Sequence, residues 1–120
     1  MQAELRGFYS NGAPELDLEA FRPDDPENFG LSLTAFVGPN DTGGEEMFDF
    51  FVCSPRWLSE HPPEKGFSFL KNHLLLTRWD YGVLDRSLRD LCAHTHGETW
   101  HEVATKLSRW GRWEFEDYRE

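Results

Sequence analysis

Cys92, His94, His96 and Glu98 are the nearest approach to a metal site in this 120-residue chain, because thiolate, imidazole and carboxylate are the usual transition-metal ligands. Their spacing works against it. Positions i, i+2 and i+4 at a helix end do not aim four groups at one point. The plainer reading places His94 and His96 in a last helical turn, where positive charge suits the helix dipole, and buries Cys92 in the core. Glu114 and Glu116 would share one face of a strand, and paired carboxylates can divide acid and base roles when their environments separate their pKa values. Charge on an edge strand also discourages edge-to-edge pairing, and no nucleophile, metal cluster or phosphate loop accompanies the two. Cys53, Ser54 and the five histidines contain a nucleophile and a base, but their spacing selects no trio. GxSxG, P-loop, dinucleotide and HExxH patterns are absent. A small hydrolase or nucleic-acid-processing enzyme built on these acids and histidines is therefore the weaker alternative to a non-enzymatic binding protein, and no cofactor or metal is implied.

Length and composition bound what could position such groups. One domain spanning residues 1–120 is expected, since this length buries one hydrophobic core but not two. Ten Phe and five Trp among 15% aromatics mean that the mean hydropathy of −0.65 reflects a charged surface rather than a disordered composition. No stretch approaches the roughly 20 apolar residues that cross a bilayer, and the start Met1-Gln2-Ala3-Glu4 is not that of an export signal. Cys53 and Cys92 have no partners at zinc spacing; two reduced, buried thiols are expected, with a disulfide as the alternative. The net charge of −10 is uneven: residues 1–60 carry 12 Asp and Glu against 3 Lys and Arg, and residues 61–120 carry 10 against 9. An acidic half repels nucleic acid and anionic membrane and speeds association with basic partners, although such an excess also simply keeps a protein soluble.

The elements follow from periodicity. Gln2 to Tyr9 reads as a strand closed by the turn Ser10-Asn11-Gly12-Ala13-Pro14. Glu15 to Asn28 is an acidic, partly anchored loop, with Pro23 and Pro26 ruling out a long helix. Gly30 to Gly38 and Met47 to Cys53 form a hairpin. Ser54 caps a short helical turn with Pro55 at its first position. A loop with Pro62, Pro63 and Gly66 leads to a strand over 72–79. Leu84, Leu88, Leu91 and Cys92 make one face of a helix over 80–96, with Gly97 as a left-handed cap. Thr99 and Glu102 form a capping box for a second helix running to about Trp110, and Trp113 to Tyr118 alternates like a final strand. The sum is an α+β fold, a largely antiparallel sheet of about five strands with two helices packed on one face; the other face must be covered or partly exposed. Of the five tryptophans, most belong to the core, and the tight connection at Trp110-Gly111-Arg112-Trp113 is where one ring should remain accessible.

With these residues laid out, the chain resembles the immunity protein 8 family, small bacterial proteins that protect a cell against a polymorphic or contact-dependent toxin delivered by its neighbours. The resemblance runs over nearly the full length. It is carried by Ala3-Glu4-Leu5-Arg6, Pro23-Asp24-Asp25-Pro26-Glu27-Asn28-Phe29-Gly30 and Phe50-Phe51-Val52-Cys53-Ser54-Pro55-Arg56-Trp57-Leu58, then by Asn72-His73-Leu74-Leu75, Trp100-His101-Glu102-Val103-Ala104-Thr105-Lys106-Leu107 and Trp113-Glu114-Phe115-Glu116-Asp117-Tyr118. It implies a cytosolic inhibitor that binds the C-terminal domain of a cognate toxin, blocks its active site or substrate surface, and carries no catalytic residues.

A toxin acting on nucleic acid is commonly basic, and an acidic inhibitor both steers towards it and occupies the surface meant for phosphates. The expected partner surface accordingly comprises Glu15, Asp17, Glu19, Asp24, Asp25 and Glu27, with Asp41, Glu45 and Glu46 from the hairpin loop. A second candidate surface is Trp110, Trp113, Glu114, Glu116, Asp117 and Tyr118, which mixes aromatics and acids as an interface core and rim would.

Overall fold

Alternation along three long strands sorts the side chains into two faces and so fixes the sheet. The structure, a computed structural model, describes residues 1–116. β1 (Ala3–Ser10), β2 (Gly30–Pro39) and β3 (Glu46–Cys53) pair antiparallel in that order. Leu33, Ala35 and Val37 of β2 and Phe48, Phe50 and Val52 of β3 point to one face and are buried. On that face lie α2 (Tyr81–Ala93), presenting Leu84, Leu88 and Cys92, and α3 (Trp100–Leu107), presenting Val103, Ala104 and Leu107. Leu33, Leu84, Val52 and Val103 are fully enclosed, and each such burial contributes about 1.5–3 kcal/mol. The α+β architecture with two helices on one face is therefore present, joined by a third, shorter helix, α1 (Pro55–Glu60).

β1 carries a bulge: Leu5 pairs with Val37 and Gly7 with Phe36, leaving Arg6 unpaired. The extra residue flips the phase of the strand, so that Ala3 and Leu5 face the helices before it and Phe8 does so after it, stacked on Tyr81 at 5.6 Å. Arg6 is put to use. Its guanidinium donates to the carbonyls of Pro39 and Thr42 and pairs with Glu4, tying the hairpin loop to the first strand.

The free edge of β3 is filled in two pieces. β4 (His73–Leu75) pairs parallel with Phe51–Cys53, and β5 (Arg112–Trp113) pairs antiparallel with Phe48 and Asp49. Both strands are shorter than the sequence suggests. β4 does not run to Trp79, because β3 ends where Ser54 caps α1; Leu76 makes the last ladder bond, to the Cys53 carbonyl, and the chain leaves to dock Trp79 on the Pro26 carbonyl. β5 stops after Trp113, because the Glu114 carboxylate accepts the Met47 amide that a backbone carbonyl would otherwise take. Residues 114–116 form a turn closed by Glu116 N–H to the Trp113 carbonyl, so Glu114 and Glu116 are not a same-face pair on a strand. Asp117 and Tyr118 lie outside the described residues.

α2 ends at Ala93 with His94 as its cap rather than at His96, since the Thr95 hydroxyl turns back onto the Leu91 carbonyl. Gly97 is not a left-handed cap; the glycines with positive φ among the described residues are Gly44 and Gly66. Gly97 has a different physical reason, for a Cβ there would lie 3.0 Å from the side chain of Glu102. That glutamate completes the expected capping box: its own amide donates to Thr99 Oγ1, and its carboxylate accepts the Glu98 amide. The Glu98 amide, then the Lys106 ammonium, hold the Glu102 carboxyl below its ordinary range. α3 ends at Leu107, and a tight turn carries the chain through Trp110 to Gly111.

Candidate partner-binding surface

The acidic loop between β1 and β2 is anchored by its apolar residues, which leaves its carboxylates outside. Leu18 is buried, and Phe21 meets Trp79 edge-on at 5.2 Å while the Trp79 indole donates to the Phe21 carbonyl. Two of the six acids build the loop itself. Asp17 Oδ1 accepts the amides of Glu19 and Ala20, and Asp25 accepts the Glu27 amide while pairing with Arg56 at 2.8 Å. Glu15, Glu19, Asp24 and Glu27 are exposed.

The hairpin acids do not join them. The acidic loop enters β2 at Gly30 and the hairpin leaves it at Pro39, and ten strand residues separate the two ends by roughly 30 Å. Asp41 and Glu45 are exposed at the far end, whereas Glu46 is half-buried with one carboxylate oxygen accepting the indole N–H groups of both Trp100 and Trp113. Glu46 therefore holds α3 and β5 to the hairpin, a role that spacing in sequence does not reveal.

The second expected surface also divides. Trp110 is 59% exposed and Trp113 only 8%, the latter stacked on Phe48 and edge-on to Phe115. The accessible ring expected in that connection is Trp110. Trp113 is a core residue, because β5 turns it to the helix side of the sheet. Glu114 is committed to the Met47 amide, and Glu116 lies 3.4 Å from the exposed Lys71 in a loose ion pair.

Of the groups with chemical potential, Cys92 lies in the core between α2 and the sheet, where burial pushes its thiol up to about 11 against the opposing charge of Arg89. Cys53 is also buried and free, its thiol raised by desolvation. His94 and His96 are exposed, with His94 Nδ1 on the Asp90 carbonyl. Among the described residues no group of three or more His, Cys, Asp or Glu is placed to hold a metal ion. A small, partly open apolar pocket beneath the helices, about 50 Å³, is lined by side chains including Leu5, Val37, Phe48, Leu88, Leu107 and Trp110, and offers no convergent polar groups.

Two features escape a reading by spacing. On the sheet face away from α2 and α3, Trp57 stacks on His61 at 4.1 Å and meets Phe51 at a tilt at 4.8 Å, and His73 adjoins Phe51 at 5.5 Å. Gly30 makes room for this cluster, since a Cβ there would fall 2.5 Å from the Trp57 ring. The second feature is the wholly exposed loop 61–71, with Phe67 and Phe69 at its tip. Its signal was the run Phe67-Ser68-Phe69-Leu70, three large apolar residues that follow Pro62-Pro63-Glu64-Lys65-Gly66 in what composition marks as a loop.

The sequence model of the immunity protein 8 family matches residues 3–118, which takes in every strand and helix just described. The chain belongs to the immunity protein 8 family. No curated protein and no solved structure matches it. Family membership identifies an immunity protein, whose counterpart is a cognate toxin. Among the described residues of this immunity protein, no helix is long and apolar enough to cross a membrane.

Proposed function

We propose that this protein neutralises one cognate toxin domain in the bacterial cytosol by binding it, with the acidic loop 15–27 facing a basic surface of the toxin. The observation that carries this reading is the family match over residues 3–118. The geometry supports it: a loop pinned through Leu18, Phe21 and Trp79 projects Glu15, Glu19, Asp24 and Glu27 into solvent at one end of the sheet. Carboxylates fixed in this way set up a directional field that raises the rate of encounter with a basic partner, and they fit the phosphate-binding surface of a toxin that acts on nucleic acid. Asp41 and Glu45, at the opposite end of β2, are assigned to the general acidity of the surface.

The test is co-purification with the C-terminal domain of the secreted protein encoded immediately upstream, together with rescue of cells that express that domain. A stable complex with rescue is expected. Absence of both would refute the immunity role with this partner. Reversal of Asp24 and Glu27 to lysine should slow association and flatten its salt dependence; unchanged association kinetics would remove the acidic loop from the interface.

A further inference from the structure

The acidic loop accounts for steering, but charges on a rim contribute more to association rate than to the lifetime of a complex. An anchor is needed as well. Every residue from His61 to Lys71 is exposed, and Phe67 and Phe69 show 64% and 93% of their surface. The two rings pack edge-to-face at 6.1 Å, so the tip is a preformed aromatic pair. Across a groove of about 530 Å³ stands Trp110, with Leu70, Lys71, His73 and Arg109 on the walls.

The backbone holds this tip out at a cost. Leu70 and Asn72 have φ of 51° and 61°, the left-handed region that a branched side chain such as leucine rarely adopts. Local bonds hold the conformation: Leu70 N–H to Ser68 Oγ, His73 Nδ1 to the Lys71 carbonyl, and Phe51 N–H to the Asn72 carbonyl at the start of β4. Asn72 Oδ1 is enclosed without a hydrogen-bond partner among the described residues. Strain, an unmatched polar atom and two outward-facing aromatics within the six residues from Phe67 to Asn72 are what a segment selected for contact rather than for stability shows.

Charge decides the kind of partner. In a molecule of net charge −10, the walls of this groove carry Lys71 and Arg109 and no carboxylate, Lys71 lying 3.4 Å from Glu116 behind it, while Glu64 and Lys65 further back in the loop offset each other. A second copy seated about a two-fold axis through the patch would set these cations against themselves. We infer that the tip of loop 61–71, together with Trp110, is the anchoring half of the toxin interface, and that it enters an apolar pocket bordered by carboxylates on the toxin domain. This inference rests on the toxin-binding reading above and adds the second, oppositely charged half of the contact.

The deciding variant is Phe69→Ala, because a ring 93% exposed can be removed with no loss of core packing, only of its contact with Phe67. Binding to the toxin domain encoded upstream would be followed by surface plasmon resonance, with the size of the free protein measured by light scattering. Phe69→Ala should dissociate roughly tenfold or more faster at a nearly unchanged association rate and an unchanged melting temperature. Lys71→Glu with Arg109→Glu should weaken binding further, where the Asp24 and Glu27 reversals act on association. Trp110→Ala should behave like Phe69→Ala; since Trp110 also borders the small apolar pocket beneath the helices, a fall in its stability leaves the decision to Phe69→Ala and Phe67→Ala. Wild-type binding that survives both phenylalanine changes within twofold overturns the inference while leaving the immunity role standing. Dissociation of a dimer of the free chain by Phe69→Ala, with toxin binding intact, would assign the patch to self-association and overturns it equally. No binding by the wild type removes both readings together.

Discussion

Glu46 opens β3 directly after the acids of the hairpin loop that suit contact with a toxin, yet its geometry makes it a structural residue. Its Oε1 accepts the Trp100 indole N–H at 2.5 Å and the Trp113 indole N–H at 3.0 Å, so one oxygen joins β3 to α3 and to β5. Hydrogen bonds to an ionised acceptor contribute about 1.5–3 kcal/mol each. Two at the low end give about 3 kcal/mol, and water reaching the half-buried carboxylate offsets part of the loss, so Glu46→Ala should cost about 2 kcal/mol. At this chain length that lowers Tm by about 8 °C. Glu46→Gln keeps an acceptor oxygen without the charge and should cost about 1 kcal/mol. Urea unfolding followed by tryptophan fluorescence measures both, with an unchanged m value showing that the denatured state is unaffected. A loss under about 0.5 kcal/mol for Glu46→Ala would refute the structural role. Weakened toxin binding at wild-type stability would return Glu46 to the interface.

Gly38→Ala should destabilise more than Gly30→Ala. A Cβ at Gly38 meets the Gly44 carbonyl oxygen at 2.1 Å, backbone against backbone across the hairpin, whereas at Gly30 it meets the Trp57 and Phe51 rings, which can swing towards solvent. About 3 kcal/mol is expected for the first and about 1 kcal/mol for the second, read by chemical denaturation; equal losses would show that the rings are as fixed as the backbone. Cys92 should resist thiol reagents in the native protein. Its pKa near 11 leaves roughly one thiol in a thousand ionised at pH 8, with a tenfold rise per pH unit below that pKa, and burial blocks the reagent besides. Labelling at the global unfolding rate is expected for Cys92 and Cys53 alike, and stoichiometric labelling within seconds at pH 8 would contradict the packing described.

Much of the fold is legible in short-range pattern. The run of β-branched and aromatic residues from Gly30 to Gly38 marks β2 as a strand before any partner strand is known. Ser54-Pro55 and Thr99 with Glu102 specify helix starts because a cap is satisfied within four residues. Helix and strand ends are less legible where the deciding partner is distant. β4 stops because β3 turns away at Ser54, and β5 stops because the Glu114 side chain takes the Met47 amide, neither of which can be read from the residues of β4 or β5.

The candidate site divides along the same line. The acid-rich loop and the accessibility of Trp110 follow from composition and a tight connection, which are local properties. That Trp113 turns inward and that Glu46 is tied to two indoles depend on contacts across 54 and 67 residues of chain, and that the two acidic groups stand at opposite ends of β2 depends on the length of that strand. The sequence by itself determined the fold class, the core faces of the helices and the acidity of the first half, because periodicity and charge act over a few residues. Only the tertiary structure decided which aromatics remain outside, since burial is set by what arrives on the other side of a residue. Phe69 stays exposed for that reason: the edge of β3 is filled by two short strands, and the loop between α1 and β4 has no surface of its own chain, among the described residues, to lie against.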